Sequence, residues 1–346
     1  MGRGLVSVAA VTCAIACGAA CGSADDDDGL FNDTAGSGGS SSGSSGQAGS
    51  GNDGIGGGFL GGGGAGEDGC DKVDFLFIID NSVSMQDQQT ALIGSFPGFI
   101  STIQSTLTAD SNYHIMVADT DDWGRCTNAN CQSGDMSADT LCVAPANGYA
   151  CTTTFDSCDK QIGAGVVHPA GKGATNGPCT IYGGHRYMVE GEPDMPGTFA
   201  CMAQVGLAGH PSERPMDSLV AAMSTGLNAP AGCNSGFLRE DAILVITFIS
   251  DDPNYEDADG PQEWYDAVVS AKGGNPDAVV VLGLTPNFDG CSNANAQPKG
   301  SHWSEFVGMW GDHGLEASVC NLDYTQFFAD AVAIIDETCD EFTPPS

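Results

Sequence analysis

The chain has 346 residues and carries 45 Asp and Glu against 10 Lys and Arg, a formal net charge of −35. Such a surface repels nucleic acid and anionic lipid alike, so neither is expected as a partner. The length suits one large domain or two small ones, and the acidity is read first as a means of staying soluble.

The chain opens as a targeting segment. Arg3 precedes an apolar stretch, residues 5–16, which has the length of a signal-peptide core and is too short to span a bilayer. Small residues follow, ending in Ala19-Ala20-Cys21-Gly22-Ser23. This resembles a bacterial lipobox, cut before a cysteine that then carries lipid. Gly18 stands where leucine is usual, and Cys17 is the rival. Parity favours Cys21: twelve of the 15 cysteines then lie downstream, an even number suited to a disulfide set, whereas Cys17 leaves one unpaired. Residues 1–20 are therefore expected to be a signal peptide. The mature chain is expected in the cell envelope, on the outer membrane, with lipid as its only hold on the bilayer.

Residues 21–69 read as a lipid-anchored, disordered tether. They are rich in Gly, Ser and Asp and have too little apolar surface to offset chain entropy. A flexible chain of this length spans roughly 40 Å end to end.

The folded part is expected over residues 70–346. Residues 73–80 (VDFLFIID) form a near-continuous apolar run, the mark of a buried parallel strand. Residues 90–107 place Leu92, Phe96, Phe99, Ile100, Ile103 and Leu107 at helical spacing, with Pro97 expected to start or kink that helix. Residues 113–119 (YHIMVAD) read as a second strand. Residues 121–200 break the alternation: they hold six cysteines and no long periodic run, which suggests a disulfide-stapled insertion rather than an ordinary loop. Disulfides are preferred there to zinc because the chain is expected to be exported.

Regular elements then resume. Residues 215–227 read as a helix, 242–250 (AILVITFIS) as a third strand, 262–272 as a helix and 278–284 (AVVVLGL) as a fourth strand. Helices are expected over 303–310 and 324–338. Strands alternating with helices predict an α/β fold with a mainly parallel central sheet covered on both faces. Trp264, Trp303 and Trp310 read as core residues.

Domain termini usually lie close together, so Cys70 and Cys339 are expected to form a clasp. Cys201–Cys233 and Cys291–Cys320 are the other expected pairs, leaving the six insertion cysteines to bond among themselves.

The chemistry gathers at strand ends. The first strand runs into Asp80-Asn81-Ser82-Val83-Ser84, a carboxylate and two hydroxyls at alternate positions of a strand-to-loop turn. The third ends in Ser250-Asp251-Asp252. Parallel strands place both at the carboxyl edge of the sheet, where doubly wound sheets bind ligands. An all-oxygen set suits a hard divalent cation, Mg2+ first, then Mn2+ or Ca2+. The plainer reading is that Asp80 and Ser82 merely cap the next helix. No H-E-x-x-H spacing occurs and no G-x-S-x-G elbow stands at a strand-to-helix turn, so an enzyme is not expected.

FLFIIDNSVSM resembles the first strand and metal-ion-dependent adhesion site of von Willebrand factor A (vWA) domains, especially those of lipoproteins from myxobacteria and their relatives. CMAQVG, ERPMDSL and GFLREDA further along agree. The resemblance covers residues 73–120 and 199–339. It implies a Rossmann-like vWA fold in which Asp80, Ser82 and Ser84 ligate the metal and Asp251 contributes. The family also uses a threonine in the loop before the second helix. That loop here is Gly209-His210-Pro211-Ser212-Glu213-Arg214, so Ser212 is the substitute, with His210 nearby. The implied function is a surface module whose protein or carbohydrate ligand completes the metal's coordination. The alternative is a structural or assembly protein of the envelope with a weak or empty site.

Overall fold

The computed structural model describes residues 71–106, 112–120, 156–209, 214–251, 257–288, 291 and 301–345. The signal segment, Cys21, the tether, Cys70, most of the insertion's first half, His210 and Ser212 lie outside these residues. No helix among the described residues is long and apolar enough to cross a membrane.

The fold is mixed α/β. Its sheet follows the order β3-β2-β1-β4-β5-β6, with β1 (Lys72–Ile79), β2 (Asn112–Asp119), β4 (Ile243–Ile249), β5 (Val279–Thr285) and β6 (Gly314–Ser318) parallel. The short β3 (Met188–Val189) pairs antiparallel with β2 at the edge.

The pleat explains why β1 is apolar throughout, since successive side chains enter two different cores. Val73, Phe75, Phe77 and Ile79 pack with Leu92, Phe96 and Phe99 of α1 (Gln86–Thr106), Phe199 of α2 (Met195–Ala203), and Phe328 and Ile335 of α7 (Thr325–Glu341). Leu76 and Ile78 enter the opposite core. There they join Met216 and Leu219 of α3 (Pro215–Ala222), Trp264 and Val268 of α5 (Pro261–Ala271), and Phe306 of α6 (Ser301–Gly308).

Two helices differ from expectation. The structure has one helix across Pro97, which costs a backbone hydrogen bond. Buried Phe96 and Phe99 flank the proline, and Phe96 stacks on Phe199 with ring centroids 3.6 Å apart, so packing holds the turn. The helix expected over 215–227 is divided into α3 and α4 (Thr225–Asn228). Ser224 accepts from the Leu227 backbone N–H at 3.3 Å and so starts a new helix.

The described part of the insertion is sewn to the scaffold: its Cys158 and Cys179 bond to cysteines beyond it. Cys201 pairs with Cys179, and Cys233 with Cys158. This overturns the expected Cys201–Cys233 pair and the self-contained insertion set. Asn234 accounts for the second bond. It is fully buried, its Nδ2 donates to Gly163 O at 2.8 Å, and its Oδ1 accepts from Gly165 N at 3.0 Å, which draws the Cys158 segment against Cys233. Val166 N donates to Val117 O at 2.7 Å and docks the same segment on β2. Cys291 is bonded to Cys320. Cys339 is disulfide-bonded to a residue outside the described ones, where Cys70 also lies.

One charge interrupts the apolar run of β1. Asp74 is fully buried, and Arg239, from the GFLREDA segment, meets it with both backbone and side chain. Arg239 N donates to Oδ2 at 2.8 Å and Nε to Oδ1 at 2.7 Å. Burial outweighs the arginine and raises the Asp74 carboxyl to about 6. His114, its register partner on β2, approaches Asp74 at 3.5 Å, and burial lowers its pKa to about 4. Lys272 Nζ donates to Arg239 O and Ala242 O, at 2.6 Å each.

Candidate metal centre

The strand order creates a crevice between β1 and β4. From β1 the chain moves to β2 on one side, and from β4 it moves to β5 on the other. The two crossovers diverge, and such a switch point is where open α/β sheets bind ligands.

Asp80 follows β1, and its backbone N–H donates to Ile249 O on β4 at 3.1 Å. Its Oδ1 accepts from Ser82 N at 2.7 Å, and its Oδ2 accepts from Ser250 Oγ at 2.6 Å. Ser82 Oγ and Ser84 Oγ lie 3.1 Å apart. Ser84 Oγ then donates to Asp251 Oδ1 at 2.9 Å. The structure thus brings Asp80, Ser82, Ser84 and Asp251 into one hydrogen-bonded set, joined between Asp80 and Ser82 through the Ser82 backbone N–H, with Ser250 as a fifth member. Asp80, Ser250 and Asp251 are fully buried, Ser84 is half-buried, and Val83 is exposed beside it.

The loop is held from below. Gln89, on the first turn of α1, is 3% exposed. Its Nε2 donates to Asp80 O at 3.0 Å and to Gly206 O at 2.9 Å. Asn81 O accepts from Gly209 N at 2.9 Å, and Thr120 Oγ1, just past β2, donates to Asn81 Oδ1 at 3.2 Å. A Cβ on Gly209 would fall 1.8 Å from Asn81 Oδ1, so the 206–209 segment needs glycine there to lie this close.

A second connection ties the outer loops together. Asp257 Oδ1 accepts from Met216 N at 2.8 Å and Asp217 N at 3.0 Å, at the start of α3. The segment leaving Asp251 therefore caps the helix that follows the Ser212 loop. Burial raises the Asp257 carboxyl to about 7. Tyr324 is also buried nearby. Burial first, then the charge of Asp251, raises the pKa of its phenol, which donates to Val319 O at 2.8 Å.

Sequence reasoning did not select Ser250, Gln89, Asn81 or Thr120 as site residues. Ser250 and Thr120 carry a usable signal, since each is a hydroxyl at the carboxyl end of a central strand. Gln89 carries none, because its partners are backbone carbonyls from distant segments.

The donor set is two carboxylates and three hydroxyls, which suits a hard divalent cation and not a soft one. No three His, Cys, Asp or Glu side chains gather into a metal-holding group among the described residues. Any binding here rests on hydroxyls, solvent and an incoming ligand as much as on carboxylates. A scan against protein-family models finds no match to the chain, and a comparison with curated proteins finds none.

Proposed function

We propose that this is a vWA-like binding module that holds a divalent cation, Mg2+ in the first instance, between Asp80, Ser82, Ser84 and Asp251, with Ser212 as a further ligand. The convergence of those four residues at the β1–β4 switch point carries this reading. So few carboxylates leave coordination positions for an incoming ligand. A protein or carbohydrate oxygen fills one of them, and exposed Val83 beside Ser84 offers that ligand an apolar contact. The cation supplies an electrophilic anchor; the protein fixes the oxygen atoms around it. The test is a pull-down from envelope extracts in Mg2+ against EDTA, with Asp80→Ala as control. Capture in Mg2+ alone, lost in Asp80→Ala, is expected. Equal capture in all three arms rules the reading out.

A second reading draws on the hydrogen bonds within the cluster. Ser84 with Asp251, and Ser250 with Asp80, satisfy one another directly, which suits an envelope assembly protein whose site holds metal weakly. In either case we place the mature chain in the envelope with lipid on Cys21. Mass spectrometry of membrane-extracted protein is expected to show an N-terminal diacylglyceryl-cysteine peptide beginning at Cys21; a lipid-free N-terminus, or one at Cys17, refutes this.

A further inference from the structure

The end of the Cys-rich insertion opens a cavity of about 360 Å³ that shares no residue with the candidate metal centre. It lies between the turn Tyr182–Gly184 and the start of α2. Tyr182, Pro193 and Cys201, one half of the Cys179–Cys201 disulfide, form its apolar side, and Glu192 and Asp194 are its carboxylates. Thr180, Gly197 and Thr198 complete the lining. Gly183 and Gly184 have φ of +78° and +73°, so the chain turns sharply after Tyr182, which is left 56% exposed.

The hydrogen bonds already made here narrow the ligand. Glu192 Oε2 accepts from Tyr182 N at 2.9 Å, and its Oε1 accepts from Thr198 Oγ1 at 3.1 Å. Asp194 Oδ1 accepts from Gly197 N at 3.1 Å. These donors are spent on holding the two carboxylates in place. Each carboxylate oxygen can still accept a further bond, so the lining offers acceptors in excess of donors. Among the described residues no Lys, Arg or His lines the cavity, so an anion is repelled. An apolar ligand would strip water from two charges and return no hydrogen bond. A neutral polar ligand can donate, but its bonds lack the charge that makes such contacts roughly twice as strong, and its own acceptors find few donors. A cation rich in donors, with an apolar body, suits both sides of the cavity, and a chain of net charge −35 draws it in.

We propose that this cavity binds an arginine side chain of a basic protein partner. A guanidinium has five donors and no acceptor, and it stacks on aromatic rings as a lysine ammonium does not. Its head donates to Glu192 and Asp194, its plane rests on Tyr182, and its methylene stem lies along Pro193 and the disulfide. The cavity is at the small end of the range for ligand pockets, which suits one side chain. No metal ion takes part, so the proposal is independent of the metal reading.

The test titrates the full chain, in EDTA, with the blocked tripeptides acetyl-Gly-X-Gly-amide, where X is arginine, lysine or citrulline, followed by saturation-transfer NMR. Salt is kept at about 0.15 M, where exposed charges further apart than roughly 8 Å are screened. The arginine peptide is expected to bind saturably. Citrulline, which keeps the shape and loses the charge, should bind about tenfold more weakly, and Glu192→Gln should weaken the arginine peptide by a similar factor. Tyr182→Ala should weaken it about threefold. Asp312→Asn, an exposed carboxylate at the other edge of the sheet, should leave it unchanged. Absence of arginine binding overturns the proposal, as does equal binding of citrulline or lysine. So does binding that neither Glu192→Gln nor Tyr182→Ala weakens, which is what general acidity predicts. If Glu192→Gln fails to fold, the exposed Tyr182 decides the matter.

Discussion

Replacing Arg239 by alanine is expected to lower the unfolding free energy by about 3–5 kcal/mol at pH 7, the usual cost of removing one partner of a buried ion pair. The side chain is the hub of the β1–β2 amino edge. Besides Asp74 it reaches Asn112 Oδ1 at 2.5 Å, and Val73 O and Asn112 O at 3.1 Å each. Its loss leaves Asp74 buried without its main counter-charge.

The pH dependence supplies an independent check. The Asp74 carboxyl already stands at about 6 in the folded protein, against 3.8 ordinarily, with burial as the first cause. A raised acid binds more protons folded than unfolded, so its contribution to stability is full below pH 4 and falls as pH rises through 6. Without Arg239 the folded value climbs further. The variant's deficit should therefore shrink between pH 7 and pH 5, as Asp74 takes up a proton. Urea melts of both proteins at the two pH values measure this. A deficit under about 1 kcal/mol at pH 7, or one that does not change with pH, would show that Arg239 is not what makes the buried aspartate tolerable.

Divalent cation is expected to stabilise the wild-type domain and to leave Asp80→Ala unmoved. Asp80 and Asp251 end adjacent parallel strands and are both fully buried, so a cation between them offsets their mutual repulsion and adds ligand bonds. At a hundredfold excess over Kd the gain is about 2.7 kcal/mol. General acidity predicts something different: a small shift that monovalent salt reproduces and Asp80→Ala retains. Thermal melts in Mg2+, Mn2+, Ca2+ or EDTA at matched ionic strength separate the two. If both proteins respond alike, the metal-binding reading fails and the assembly reading gains.

The parallel core strands could be read directly from the sequence. VDFLFIID and AILVITFIS are apolar at nearly every position because both of their faces are covered, and little but a central parallel strand needs that. Asp80 and Asp251 followed from them, since parallel strands finish on one edge. The edge strands were not legible. β3 has two residues and β6 reads Gly-Leu-Glu-Ala-Ser, half-buried throughout, so neither has a pattern apart from its partner. α2 was missed for another reason: it lies where the Cys-rich stretch gives way to the scaffold, and its cap is Asp194, whose Oδ1 accepts from Gly197 N at 3.1 Å. Disulfide partners depend on the meeting of distant segments, and the spacing of Cys158, Cys179, Cys201 and Cys233 contains nothing about Asn234 drawing residues 163 and 165 towards it.

The two cross-links of that region are nested, with Cys179–Cys201 enclosed by Cys158–Cys233 across 75 residues. Among these four cysteines, oxidation in order of synthesis would join Cys158 to Cys179, the next of them made, and trap the wrong loop. Reaching the observed pairing then requires a thiolate to attack that premature bond and pass it on. Maturation of this protein is accordingly expected to depend on a disulfide-shuffling catalyst and on free thiols, and an oxidase alone should yield mispaired chains.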